Sequence, residues 1–220
     1  NLTNGLRFSK PGRGDAHPPA HIMSVGPADA TTLALQPFRD RLYVFTDVGL
    51  YVVTGNTPAD FALQPFDLSC RILARDAVAV CDDAVYAWCF EGIAKIDQTG
   101  LEYVSTPIEP TLQALQATAT NTVIATYAFA VAWRTQHKVI FFYPTRSDTT
   151  AQTGSRLCPQ GLVYDTRMNT WSQWRTSGLF ADLNGLKDLE FGYSCGAVRE
   201  TDDLLFLGEW FNATQACYLY

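Results

Sequence analysis

The sequence predicts an all-β fold, and three observations carry that expectation. Strand-favouring residues are abundant, with 13 Phe, 10 Tyr and 5 Trp among 220 residues. A strand–turn–strand unit recurs: with Tyr43 laid over Tyr86, an offset of 43 residues, Leu42 meets Val85, Phe45 meets Trp88, Gly49 meets Gly92 and Val53 meets Ile96. The apolar runs are also continuous rather than alternating, as in strands covered on both faces. Units of roughly 40–50 residues that each read as a small antiparallel sheet are the signature of a β-propeller. The expectation is about five blades, or part of a larger propeller, with a short inter-blade helix. A β-sandwich is the alternative, and it would show cleaner hydrophobic-in, polar-out alternation.

The elements follow in order. Residues 9–32 hold four prolines and three glycines and cannot form a long regular element. Residues 1–32 are therefore an irregular arm and the start of a first blade, and residues 33–220 are blades of a single domain. The first clear hairpin is "LYVFTDVGLYVV", the second "VYAWCFEGIAKI". Glycine at 49 and 92 fits a turn that needs positive φ. A third copy pairs "KVIFFYPT" with "GLVYDTRMNTW" across a polar insertion at 146–160, which reads as a long surface loop. The fourth is 202–220. Strand-like lead-ins precede the later copies, among them "VIATYAFAVAWRTQHK". Thr106–Thr122 reads as one short helix, with Pro110 near its start and Leu112 and Leu115 three apart. The pentapeptide "ALQPF" occurs at 34–38 and 62–66, but its offset disagrees with the hairpin repeat and it is set aside as coincidence.

Composition narrows the function. The net charge is −6 and the pI about 5.0, with no Lys/Arg-rich segment, which argues against sequence-reading nucleic-acid binding. No run approaches the roughly 20 apolar residues of a membrane-spanning helix, so no membrane partner is expected. The chain starts at Asn1 and stops in a strand-like "CYLY", which reads as an excerpt of a longer protein. None of the six cysteines forms a CxxC pair, and they read as reduced, structural hydrophobes.

Candidate reactive groups are few. His17 and His21 are separated by Pro18 and Pro19, which forbid the helix that would aim both at one metal. Arg13-Gly14-Asp15 reads as turn chemistry. His137 has no acidic partner at a fixed spacing. The carboxylate pairs Asp82-Asp83 and Asp202-Asp203 each precede an apolar strand, and adjacent side chains there point to opposite faces. Asp182, Asp188, Glu190 and Glu200 add further acids that could line one surface. No nucleophile elbow, P-loop, HExxH or EF-hand pattern occurs. The expectation is no enzyme: no catalytic, cofactor-binding or metal residue.

The segment "LVYDTRMNTWSQW" resembles the kelch blade ending, with Tyr164, Asp165, Asn169 and Trp171 at the matching places, although the kelch double glycine is missing. Its structural turn residues are Asp165, Asn169 and Trp171, beside Gly49 and Gly92 in the repeated hairpins. The order of features resembles the β-propeller tail nozzle, or tail-hub, proteins of short-tailed bacteriophages. The matching pieces are "RLYVFTDVGLYVVTG", the cysteine-containing 68–96, "VSTPIEPTL", the "VYD…W" blade, and the opening "GLRFSKPGRGD". The resemblance covers most of the chain. It implies a structural virion protein, a homo-oligomer of six copies next to portal and adaptor proteins. Its location would be the phage tail, assembled in the host cytoplasm, with genomic DNA passing through the channel without sequence-specific binding. Alternatives are a carbohydrate- or protein-binding propeller using Trp171, Trp174 or Trp210, and a propeller glycoside hydrolase.

Overall fold

The computed structural model describes residues 3–10, 12–119, 121–144, 158–175, 193–211 and 216–219. The fold is all-β, built from antiparallel sheets with two short helices. The chain divides into two compact units, residues 1–73 with 89–91, and residues 74–88 with 92–220.

In the first unit, β1 (Gly5–Arg7) pairs with β2 (Ile22–Ser24) inside the arm. A four-stranded meander follows: β3 (Thr32–Phe38), β4 (Arg41–Thr46), β5 (Leu50–Thr54) and β6 (Ala62–Asp67), adjacent in chain order. Val44, Tyr51, Val53 and Val25 form a buried cluster, and Leu6, Met23, Phe61 and Leu63 pack on it, so the arm covers the sheet. The two "ALQPF" segments turn out to be β3 and β6, the two edges of this one sheet. Proline lacks a ladder N–H and is tolerated at edges, so Pro37 and Pro65 sit where a central strand would reject them.

In the second unit, the next meander comprises β7 (Val78–Cys81), β8 (Ala84–Cys89), β9 (Gly92–Ile96) and β10 (Leu101–Tyr103). A 3₁₀ turn, Thr106–Ile108, then leads into α1 (Glu109–Thr118) and α2 (Asn121–Tyr127). The 106–122 region is thus a helix start as expected, with Pro110 in the first turn, but a second helix occupies residues expected to be strand-like. The β-branched run at 122–124 favours a strand locally. Burial of Val123 and Ile124 overrides that preference, and the Thr126 hydroxyl is satisfied within the helix by donating to Thr122 O at 2.7 Å.

The third meander is β11 (Phe129–Trp133), β12 (Lys138–Tyr143), β13 (Gln160–Asp165) and β14 (Thr170–Arg175). The β12–β13 pairing runs from Lys138 opposite Asp165 to Tyr143 opposite Gln160. The insertion between them lies outside the described residues up to 157. A three-stranded sheet ends the chain: β15 (Tyr193–Arg199), β16 (Leu204–Phe211) and β17 (Ala216–Leu219).

The middle sheet of this unit explains the continuous apolar runs. Successive strand side chains point to opposite faces. On one face of β12, Phe141 and Tyr143 meet Trp88 of β8 edge-on, with ring centroids 6.2 and 6.3 Å apart. Tyr164 of β13 meets Tyr86 of β8 at 5.6 Å. On the other face, Ile140, Phe142 and Val163 cluster with Leu207 of β16, and Val198 and Leu205 pack on them. Val139 through Tyr143 are all at most 1% exposed. Burying each such side chain stabilises by about 1.5–3 kcal/mol, and both faces of one strand contribute.

Candidate functional site

The turns entering the second strand of each larger sheet share one backbone device. Arg39, Asp82, His137 and Asp203 all have left-handed φ, between 49° and 58°, and each directly or almost directly precedes the strand. Arg39 and Asp82 keep the 43-residue offset of the hairpin repeat. Aspartate tolerates this region because its short polar side chain can bond locally. Three of these turns, all in the second unit, converge and bring together residues that the sequence leaves far apart.

The β11–β12 turn lies at the centre. His137 Nδ1 is 2.9 Å from Asp82 Oδ1 in the β7–β8 turn. A carboxylate only accepts, so Nδ1 carries the proton. Thr166 Oγ1 donates to the other oxygen of Asp82, and Thr166 N–H donates to His137 O at 2.8 Å. Arg134 donates to Val80 O at 3.3 Å on that side. Toward the β15–β16 turn, the same Arg134 reaches Glu200 at 2.9 Å. Asp203 there accepts from Trp133 Nε1 at 2.6 Å, from Thr135 Oγ1, and from Gln136 Nε2 at 3.4 Å.

The electrostatics fit this picture. The Thr135 hydroxyl, then the Trp133 and Gln136 donors, hold the Asp203 carboxyl below the usual carboxylate value. Asp202 is lowered by its bonds from Arg199, which it clamps across three residues. Burial, and secondarily Asp82, push the Cys81 thiol up to about 11, so it remains a thiol, with Sγ 3.7 Å from Lys138 O.

This arrangement is poorly suited to nucleophilic chemistry. A relay needs the hydroxyl on the histidine and the histidine on the carboxylate. Here Thr166 and His137 both bond to Asp82, and the hydroxyl bypasses the ring. The acids flagged in the sequence split into locks and neighbours: Asp82 and Asp203 tie turns together, Asp202 serves its own turn, and Glu200 pairs with Arg134. Asp182, Asp188 and Glu190 lie outside the described residues. His137, for which spacing in the sequence fixes no acidic partner, meets Asp82 through the tertiary structure. Their 55-residue separation hides the contact, and what the two residues share is a left-handed φ in the turn before the second strand of successive sheets.

The turn residues are placed as follows. Gly49 and Gly92 have φ of +150° and +142°. An added Cβ at Gly49 would lie 2.8 Å from Leu68 Cα, so the close backbone approach also requires glycine. Asp165 Oδ1 accepts from the backbone N–H groups of Arg167 and Met168, at 3.0 and 2.9 Å, which closes the β13–β14 turn and lowers its carboxyl. Asn169 takes the left-handed position at φ 52° and accepts from Tyr164 OH at 2.8 Å. Trp171 lies opposite Tyr164 in the ladder, ring centroids 4.8 Å apart, and its Nε1 donates to Val104 O, just past β10, at 2.9 Å. Trp174 packs beside Phe142 at 5.9 Å. The side chain of Trp210 lies outside the described residues.

Of the two arm histidines, His21 stacks on Phe8 at 4.9 Å, whereas His17 is exposed. Among the described residues no group of three or more His, Cys, Asp or Glu is placed to hold a metal ion. Arg13-Gly14-Asp15 lies in a tight turn in which Arg13 N–H bonds Lys10 O and Ala16 N–H bonds Arg13 O. Among the described residues, no helix is long and apolar enough to cross a membrane.

The fold and site together define a class: an all-β chain of successive antiparallel meanders, with turns of the second unit hydrogen-bonded to one another. No family model matches the chain, and no curated protein matches it in sequence. Among solved structures, a 2S albumin seed protein from Dolichos is similar at a TM-score of 0.32 and 13% identity, over 86% of this chain and 91% of that one. A likeness at that score carries no argument about this chain.

Proposed function

We propose that the chain is a non-catalytic structural protein whose sheets are blades of a β-propeller, acting as a tail nozzle or hub component of a short-tailed bacteriophage. The observation that carries the structural part is the turn cluster. Asp82, His137, Asp203 and Arg134, the groups a hydrolase would expose to substrate, are engaged in hydrogen bonds between successive sheets. Among the described residues, four antiparallel sheets of three or four strands follow one another in chain order, beside the two-stranded pairing of the arm, and this order of sheets supports the reading of blades. The phage assignment rests on the order of sequence features that resembles tail nozzle proteins. A net charge of −6 suits a channel wall along which DNA must slide.

The test is the assembly state. Native mass measurement and electron microscopy of the purified chain, with and without portal and adaptor proteins, are expected to show a sixfold ring. A strictly monomeric protein that binds glycans overturns the nozzle reading. Turnover of a glycoside that disappears in Asp82→Asn or Asp203→Asn overturns the non-catalytic one.

A further inference from the structure

In the first unit, two thiols face one another. Cys70, after β6, and Cys89, the last residue of β8, have their sulfurs 3.1 Å apart, and both residues are fully buried. The flanking backbone holds them there. Ile72 and Cys89 form an antiparallel bridge, and Phe90 N–H bonds Arg71 O at 3.0 Å. Across the same pair of segments, the Arg71 guanidinium meets Glu91 at 3.0 Å and lies over the Phe90 ring at 5.3 Å. Other described cysteines are engaged differently: Cys158 donates to Tyr127 O at 3.2 Å, and Cys81 Sγ faces Lys138 O.

We propose that Cys70 and Cys89 are a dithiol that closes to a disulfide when the chain meets a small disulfide oxidant such as oxidised glutathione. The inference goes beyond the structural role above and does not depend on it. In the first step, one cysteine thiolate attacks a sulfur of glutathione disulfide, forming a mixed disulfide and releasing one glutathione thiolate. In the second, the other cysteine thiolate attacks the protein sulfur of the mixed disulfide, forming the Cys70–Cys89 bond and expelling the second glutathione. The two protein thiols lose two electrons in all. Glutathione disulfide gains them, and the two protons end on the two glutathione thiols. The sulfurs need to close by about 1 Å to reach bonding distance. Burial shields the pair, and its contact with Cys70 raises the Cys89 thiol well above its ordinary value. The reaction therefore runs during folding or local opening, and is slow in the closed protein.

The experiment refolds the 220-residue chain with oxidised glutathione or with dithiothreitol, then counts thiols in denaturant and measures the intact mass. The expected result is loss of two of the six thiols, a mass lower by two hydrogens, and a peptide map joining Cys70 to Cys89. The link is expected to persist in Cys81→Ser and vanish in Cys89→Ser. The oxidised form is expected to melt higher, by on the order of 5–10 °C, and dithiothreitol is expected to reverse the shift. Six titratable thiols after oxidative refolding, a stable glutathione adduct in place of the internal bond, or a link to another cysteine overturns the proposal. The thiol count and peptide map of the unaltered chain decide it even if a serine variant fails to fold.

Discussion

The Gly92–Ser105 contact makes a quantitative prediction. Gly92 has φ +142°, and a Cβ built there would lie 2.4 Å from Ser105 Oγ. That hydroxyl is not idle: it accepts the buried Ile93 N–H at 2.9 Å, and Ser105 is 3% exposed. Alanine at this φ costs about 1–3 kcal/mol in backbone strain. The hydroxyl must also swing away, which strands the Ile93 N–H at about 1–3 kcal/mol more. Gly92→Ala is therefore expected to cost about 2–6 kcal/mol by those two contributions. Ser105→Ala strands the same N–H and is expected to cost about 1–3 kcal/mol. In the double variant that loss occurs once, so its cost falls about 1–3 kcal/mol short of the sum. Gly100→Ala calibrates the backbone part: φ is +148° in the next turn of the same sheet, and nothing lies within 4 Å of the added Cβ. Urea unfolding followed by tryptophan fluorescence measures all four variants. Strict additivity of Gly92→Ala and Ser105→Ala, or a Gly92→Ala cost no larger than that of Gly100→Ala, would refute the reasoning.

Three more predictions use the same assay. Trp171→Phe keeps a ring on Tyr164 but removes the bond to Val104 O, and is expected to cost about 1 kcal/mol, whereas Trp171→Ala also opens packing and is expected to cost about 3 kcal/mol or more; equal costs would show that the ring packing contributes nothing, and a Trp171→Phe variant as stable as the unaltered chain would show that of the indole N–H. Asp82→Ala removes acceptors for both His137 and Thr166 and places alanine at φ 49°, so it is expected to cost about 2 kcal/mol, with Asp82→Asn milder because asparagine keeps an oxygen and accepts that φ; the reverse ranking counts against the lock. Asp97, Asp165 and Asp203 are held below 3.8 chiefly by the Thr99 hydroxyl, the Met168 N–H and the Thr135 hydroxyl, respectively. Because the folded values lie below the unfolded ones, their contribution is complete above the unfolded value and is lost as pH falls through the folded values. The urea midpoint is expected to hold between about pH 6 and 5 and to fall below about pH 4, and a midpoint that rises on acidification would contradict this.

Much of the strand content was legible because it is written in short-range chemistry. The 43-residue offset located β4–β5 and β8–β9 together with Gly49 and Gly92, since a turn with no room for a side chain imposes its residue wherever it recurs. The "YDTRMNTW" turn was legible for the same reason: Asp165 and Asn169 bond within a few residues of themselves. Continuous apolar runs announced strands covered on both faces, and β12 is covered so.

What the tertiary structure decided is everything that depends on which element lies beside which. Asn121–Tyr127 is helical because the buried sides of Val123 and Ile124 outweigh a local strand preference. "ALQPF" marks two edges of one sheet, and only strand order distinguishes an edge from a repeat. Asp82 with His137, Asp203 with Trp133, and Cys70 with Cys89 are separated by 19 to 70 residues. A side chain's residue type states what it can donate or accept, and that much the sequence alone determined. Which partner it meets is set by how elements pack within each unit, because burial of apolar faces decides that packing and the polar contacts at the turns then form between whatever it brings within reach.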